Sequence, residues 1–497
     1  MDNRKLIDTL EMEIGADRVF SRDFFLAGYS DDVIGKVIGE PGRPAVVVAP
    51  RTTDEVQKIV KAANRFRISV TPVGGRTECW GSNACDGGIL IDTSNMNRIT
   101  RIDEDSLCVR AQAGCTIQHL DEALIKKGYY YPVHPDNKGI STIGSDVAKC
   151  TNGTTQGCYG GIARRLVGLT VVLGNGDILE TGTSSVINGP YEFQKDGLPD
   201  FTDLFVGAEG CLGIITEVAV SILPLPVKTS YNIAYFKGGE DNVRAMVKAW
   251  RELTKRQIAC NIYHVDGELS NLIDRTTAHG SAFANPPGGW GWMPLNEKDA
   301  GFHVSPVYVT SYVSEKECEI KEAAAREIII AHGGTFEHFE YDSAYNSQAP
   351  QGEFSWNFIS YFELAMGKPH FYLWGSVPYR CYADLYYERK KILNAHPDKR
   401  LAKISGNLGC CMTAERVVIT QAFWPDLSDQ TMRESLSEVL KELKAADMKY
   451  GYIPYGVGKL YRQELIENLN PTYLEYIRKI KMLFDPNGIL NPGNNIF

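Results

Sequence analysis

Three glycine-rich turns carry the most legible chemistry in this chain: PVGGRT at residues 72–77, TIGSDVAKCTNGTTQGCYGG from Thr142 to Gly161, and GAEGCLGIITE from Gly207 to Glu217. Backbone without Cβ atoms lets successive N–H groups close around an anion such as a diphosphate. Gly74 and Gly75 follow the apolar run ISV, and Gly144, Gly153, Gly157, Gly160 and Gly161 follow Thr142 and Ile143. Any one of these turns alone reads equally well as an ordinary loop. Their recurrence within one region marks where an anion such as a diphosphate could be held.

Other chemistries find less support. The twelve cysteines, at 79, 85, 108, 115, 150, 158, 211, 260, 318, 381, 410 and 411, contain no CxxC pair, so no metal is expected and the thiols read as reduced. A formal net charge of −9, with Lys and Arg dispersed, argues against a nucleic-acid partner. The N-terminal stretch MDNRKLIDTLEMEIGADRVF alternates charged and apolar residues at helical spacing and lacks the apolar core of a signal peptide. No run approaches the ~20 apolar residues of a membrane span, so a cytoplasmic protein is expected. No GxGxxG opens a helix in a strand–helix–strand unit, which disfavours nicotinamide binding.

The elements that must position the turns follow from periodicity. AVVVAP is a short strand; TTDEVQKIVKAANRF opens on a threonine cap and sets Val56, Ile59, Val60 and Ala63 on one stripe; ISVTPV returns as a strand into the first turn. TIQHLDEALIKKGY is a second amphipathic helix, and Asn175-Gly176 between β-rich runs marks a hairpin. At 497 residues with 43% apolar content, two domains are the simplest division. Residues 227–450 alternate helical patterns (VRAMVKAWRELTKRQ, KECEIKEAAAREIIIAHGG, DQTMRESLSEVLKELKAADMKYG) with strands such as HFYLWGSVP and RVVITQAFW, as helices over one antiparallel sheet would. NPPGGWGWM, with Trp290 and Trp292, reads as a pocket lid, a partner contact or an ordinary loop.

The order of the motifs from RPAVVVAP through DLFVGAEGCLGIITEVAVSILP resembles the FAD-binding domain of the vanillyl-alcohol oxidase and 4-cresol dehydrogenase family over roughly residues 40 to 226. The ending, YGVGKLYRQELIENLN through LFDPNGILNPGNNIF, is similar to the same family's C-terminus. The resemblance implies an α+β fold: a two-subdomain FAD-binding domain over residues 1–226, a cap domain with an antiparallel sheet covered by helices over 227–450, and a segment, 451–497, returning to the first domain. It also implies FAD as cofactor and a homodimer. Pro72, Val73, Gly74, Gly75, Arg76 and Thr77 would meet the diphosphate; Ser141, Thr142, Gly144 and Ser145 the diphosphate or ribityl chain; Gly157 and Gly161 also the cofactor; Gly213 and Ile214 the adenine or flavin edge.

The same resemblance nominates substrate groups. Tyr461 and Arg462 in GKLYRQE are similar to a tyrosine–arginine pair aimed at a phenolate oxygen, where two donors would lower a phenol's pKa in a dry pocket. The family's third phenolate donor, a tyrosine, reads here as Trp80, whose indole donates but cannot accept. The acidic residue beside the flavin falls on Gly160 or Gly161. His370 or Tyr372 are the candidates for covalent flavin attachment, and Glu363 resembles an acidic pocket residue.

These features imply an FAD-dependent oxidoreductase that takes hydride from the para side-chain carbon of a phenolic compound through a quinone-methide-like state. An FAD-linked 2-hydroxy acid dehydrogenase of the D-lactate or glycolate type is the alternative, although the HGDGN run expected of that type is absent. A non-catalytic flavin-binding electron-relay subunit is a third. For the two enzyme readings the partners are a small-molecule substrate and an electron acceptor, which the sequence leaves open among oxygen, a cytochrome and another flavoprotein.

Overall fold

The computed structural model describes residues 3–497 apart from 31–32, 39–41, 136, 154–155, 187–191, 194–198, 260, 267–301, 339–369, 411–412 and 414. Its first sheet grows from the strand–helix–strand pattern read above. Strand Val46–Val48 is buried on both faces, as a parallel strand covered by helices must be. Helix Thr53–Phe66 follows, its N-terminus capped by Thr52, whose hydroxyl accepts from the Glu55 amide, and its stripe of Val56, Ile59, Val60 and Ala63 enters the core. The chain returns as Val70–Val73, and both strands pair in parallel with Ile89–Asp92. Pro72 is tolerated because Val70–Val73 lies at the sheet's edge. PVGGRT therefore starts at the C-terminal end of a parallel strand, where open α/β sheets bind ligands.

Cys108–Gln112, Ile214–Ser221 and Leu166–Val172 are the inner strands of a second, five-stranded antiparallel sheet. Leu166–Val172 turns through Gly176, at φ 90°, into Ile178–Glu180, which is the expected Asn-Gly hairpin. Helix Ile143–Lys149 packs beside this sheet and carries the second glycine turn.

The third sheet has nine strands among the described residues, all antiparallel, with Lys228–Lys237 and Phe302–Ser311 paired along their whole length. Helices Glu315–Ala331, Glu240–Lys255, Tyr379–Ala395 and Gln430–Lys449 pack side by side against it. Strand Phe371–Val377 shows how the sheet divides the molecule. Phe371 and Leu373 are fully buried, with Phe371 stacked on Phe423 at 5.1 Å, while the alternate residues His370, Tyr372 and Trp374 face a cavity against the first two sheets. Ile453–Pro454 adds an edge to this third sheet, and the chain then runs back until Ile489 and Asn491 hydrogen-bond both sides of Val70.

The TNGTTQGCYGG stretch differs from the turn expected of it. Gln156–Tyr159 and Ile162–Arg165 are short helices, so Gly157 lies within a helical turn and Gly161 caps the next.

Candidate FAD and substrate site

Helix Ile143–Lys149, the PVGGRT turn, the GAEG turn and the strand face of His370, Tyr372 and Trp374 enclose a cavity of about 440 Å³, an ordinary size for a small-molecule site. The glycines of PVGGRT are sterically obligatory. A Cβ on Gly74 would lie 2.2 Å from Ser145 Oγ and 2.3 Å from Thr142 Oγ1; one on Gly75 would lie 2.1 Å from the Ile140 carbonyl oxygen. Gly210, at φ 76°, presses on Pro72, where a Cβ would come within 2.5 Å of the ring. A second recess, of about 340 Å³, opens on the other side of Gly74 and Gly75 and is lined by Thr116, His119 and Thr142. A diphosphate held on the turn would have room on each side for its two organic ends, so the residues present fit FAD.

Most of the expected cofactor residues meet here. Pro72 to Thr77, Ser141, Gly144, Ser145, Gly213, His370 and Tyr372 wall the main cavity, and Thr142 walls the second recess. Ile214 does not: it is fully buried in the core behind the sheet, and its neighbour Ile215 faces the cavity, because adjacent strand residues point to opposite sides. Gly157 and Gly161 also stand off the cavity; a Cβ on Gly161 would meet the Thr151 carbonyl at 2.8 Å, so it serves local packing.

The nominated phenolate donors are turned elsewhere. Tyr461 is fully buried and donates to Asp447 Oδ2 at 2.5 Å, in a cluster with Arg389 and Tyr452 behind the cavity wall. Arg462 donates to the Phe497 carbonyl at 3.1 Å. Neither lines the cavity. Trp80 does, but its indole N–H is spent on the Tyr372 carbonyl at 2.8 Å, so it joins the turn to the roof strand. Glu363, Trp290 and Trp292 lie outside the described residues.

Other groups on the wall escaped sequence reading. Lys149 Nζ sits 3.3 Å from Glu78 Oε2 and 3.1 Å from Glu209 Oε1. Burial works against its charge, yet the two carboxylates outweigh burial and hold it above its ordinary range. Glu78 is held below its own range, against burial, by Lys149 and the amides of Trp80 and Asn83. Glu209 also accepts from the amides of Val457 and Gly458 at 3.0 and 2.9 Å, which pins the YGVGK segment over the site. That segment delivers Tyr455, whose ring meets Trp80 at 5.4 Å and Trp374 at 5.5 Å and whose hydroxyl donates to Thr151 at 2.9 Å. Trp374 was legible in principle from the i, i+2, i+4 spacing of His370, Tyr372 and Trp374. Burial brings His370 down to about 3, so its imidazole is neutral near pH 7. Behind the wall, Arg416 donates to Asn152 Oδ1 at 3.0 Å and to the Ser376 hydroxyl, and among the described residues it has no carboxylate partner.

Among the described residues, Cys79, Cys85, Cys108, Cys115, Cys150, Cys158, Cys211, Cys318 and Cys381 are unbridged. No described helix is long and apolar enough to cross a membrane, and no cluster of described residues could hold a metal ion.

Comparison with known proteins agrees with this geometry. Residues 44–182 match the FAD binding domain, and residues 375–495 match the C-terminal domain of FAD linked oxidases. Glycolate oxidase subunit GlcD of Bacillus subtilis (strain 168) is 38% identical over 184 residues, a match spanning 37% of this chain and 38% of that protein. D-lactate dehydrogenase of Anaerostipes hadrus is 24% identical over 97% of this chain and 95% of its own length. The structure of 4-ethylphenol oxidase from Gulosibacter chungangensis superposes with a TM-score of 0.82 at 19% identity, covering 99% of this chain and 97% of that one, which establishes the shared fold. Carrying the two domains of the FAD-linked oxidases around one glycine-lined cavity, this chain is an FAD-dependent oxidoreductase.

Proposed function

We propose that the chain oxidises the carbinol carbon of a small 2-hydroxy acid, with FAD held on the PVGGRT turn. The observation that carries this over the phenolic reading is the burial of Tyr461 against Asp447, which removes the expected phenolate donor from the cavity. End-to-end similarity to a D-lactate dehydrogenase supports it. Arg416 supplies the electrostatics: neutral groups hold its guanidinium against Asn152, a wall residue, so its uncancelled charge favours an anionic substrate. Bound FAD would supply the two-electron acceptor for hydride. The chain's own contribution is to orient the substrate between Asn152 and the ring faces of Trp374 and Tyr455, and to exclude water with the YGVGK segment.

A para-alkylphenol is the second reading, favoured by the aromatic wall of Tyr372, Trp374, Tyr455 and Trp80. Anaerobic mixing of the holoprotein with D- and L-2-hydroxy acids and with para-alkylphenols separates the two. Loss of the oxidised flavin absorbance with a hydroxy acid is expected. Bleaching by phenols alone would replace this reading with the second.

A further inference from the structure

We infer that the acid this cavity selects carries an aryl side chain and a single carboxylate, as in a 3-aryllactate. The inference rests on the hydroxy-acid reading and narrows it to a substrate class.

Four rings from three separate stretches of chain, Trp80, Tyr372 with Trp374, and Tyr455, form one continuous apolar part of the cavity wall. Trp80 meets Tyr455 edge-on at 5.4 Å, Tyr455 meets Trp374 at 5.5 Å, and Trp374 meets Tyr372 edge-on at 5.9 Å. Hydrogen bonds fix the set before any ligand arrives. Trp80 Nε1 donates to the Tyr372 carbonyl at 2.8 Å, the Tyr455 amide to the Trp374 carbonyl at 2.8 Å, and the Tyr455 hydroxyl to Thr151 Oγ1 at 2.9 Å. The YGVGK segment that carries Tyr455 has no slack: a Cβ on Gly456 would lie 2.4 Å from the Trp80 ring, and one on Gly458 2.1 Å from the Trp80 carbonyl oxygen. Rings already held in place lose little rotamer freedom when a ligand packs on them, so an aryl group keeps the benefit of its burial and ring contacts. The methyl of lactate would cover only a small part of this surface.

Charge limits the ligand to one carboxylate. The described cations on the cavity wall are Lys149 and Arg76. Lys149 has three N–H hydrogens and three partners, Glu78 Oε2 at 3.3 Å, Glu209 Oε1 at 3.1 Å and the Ser82 hydroxyl, so no hydrogen is left for a ligand. Two carboxylates against one ammonium give this part of the wall a net negative charge. Arg76 belongs to the cofactor turn, where it donates to the Gly28 carbonyl at 2.8 Å and lies over the Tyr29 ring at 4.2 Å. Arg416, held against Asn152, is then the uncompensated positive charge beside the cavity. It matches one carboxylate. A second, as in a 2-hydroxydicarboxylate, would meet aromatic rings or the net negative Glu78–Lys149–Glu209 group, and a carboxylate desolvated without a partner is strongly disfavoured.

Dead-end acids that lack the hydroxyl report binding without turnover. Calorimetric titration of the holoprotein should find 3-phenylpropionate binding about 100-fold tighter than propionate, with glutarate no tighter than propionate. Trp374→Leu, which keeps the backbone carbonyl that holds Tyr455, should weaken 3-phenylpropionate about tenfold and leave propionate unchanged. Among substrates, 3-phenyllactate should bleach the flavin with a higher kcat/KM than lactate or 2-hydroxyglutarate. Propionate or glutarate binding as tightly as 3-phenylpropionate would overturn the inference, and that comparison needs only the wild-type chain. A kcat/KM that favoured lactate or 2-hydroxyglutarate would overturn it too, while leaving the hydroxy-acid reading in place. Bleaching by para-alkylphenols alone would end that reading and the inference with it.

Discussion

Gly75→Ala probes the cofactor turn most directly. The added Cβ would lie 2.1 Å from the Ile140 carbonyl oxygen and 2.8 Å from its carbon. Carbon and oxygen seldom approach within about 3.3 Å, so turn and carbonyl must part by roughly 1 Å. Ile140 cannot yield by a side-chain rotation, because the clash is with backbone, and its amide and that of Ser141 are both held by the Asn137 carbonyl at 2.8 and 2.9 Å. The displacement therefore falls on the PVGGRT amides. Overpacking of this kind costs about 1–3 kcal/mol of stability. Loss of diphosphate alignment should cost roughly 2.7 kcal/mol more in binding, an FAD Kd weaker by about 100-fold. Quenching of FAD fluorescence on titration into apoprotein measures the second quantity, and urea unfolding of the apoprotein the first. Gly28→Ala, whose Cβ would meet nothing within 4 Å, is the control and should change neither. If Gly75→Ala bound FAD with wild-type affinity, the diphosphate would not sit on this turn.

Two further substitutions separate the cavity from its support. Tyr461→Phe should lower stability to urea by about 1–3 kcal/mol, because Asp447 loses a buried donor, while KM stays unchanged; a tenfold rise in KM at unaltered stability would return Tyr461 to the substrate site. Lys149→Met should cost about 3–5 kcal/mol by leaving Glu78 and Glu209 buried without their cation. Glu78 is depressed in the folded wild type, so its contribution is complete above the ordinary glutamate value of about 4.3 and fades as pH falls through its lower folded value. Without Lys149, Glu78 takes up a proton more readily, so the Tm deficit of Lys149→Met should shrink between pH 7 and pH 4. A deficit that grew in acid would contradict the assigned charges.

The sequence by itself determined what depends on neighbours along the chain. Thr52 and Thr116 cap helices whose apolar stripes are local periodicities, Asn175-Gly176 sets a hairpin through its own backbone preferences, and PVGGRT is a glycine turn after a strand wherever the rest of the chain goes. The cofactor site was legible for that reason. Tertiary structure decided which side chains share the cavity. Tyr461 and Arg462 are adjacent to the cavity segment in sequence, yet burial pairs Tyr461 with Asp447 and draws Arg462 to Phe497. Ile214 and Ile215 exchange roles because a one-residue step along a strand reverses the face presented. Glu78, Lys149 and Glu209 come from three segments far apart in the chain, and Tyr455 reaches Thr151 only through the returning C-terminal segment. Charges and hydroxyls act through space over a few ångströms, a distance that residue spacing along one chain does not encode.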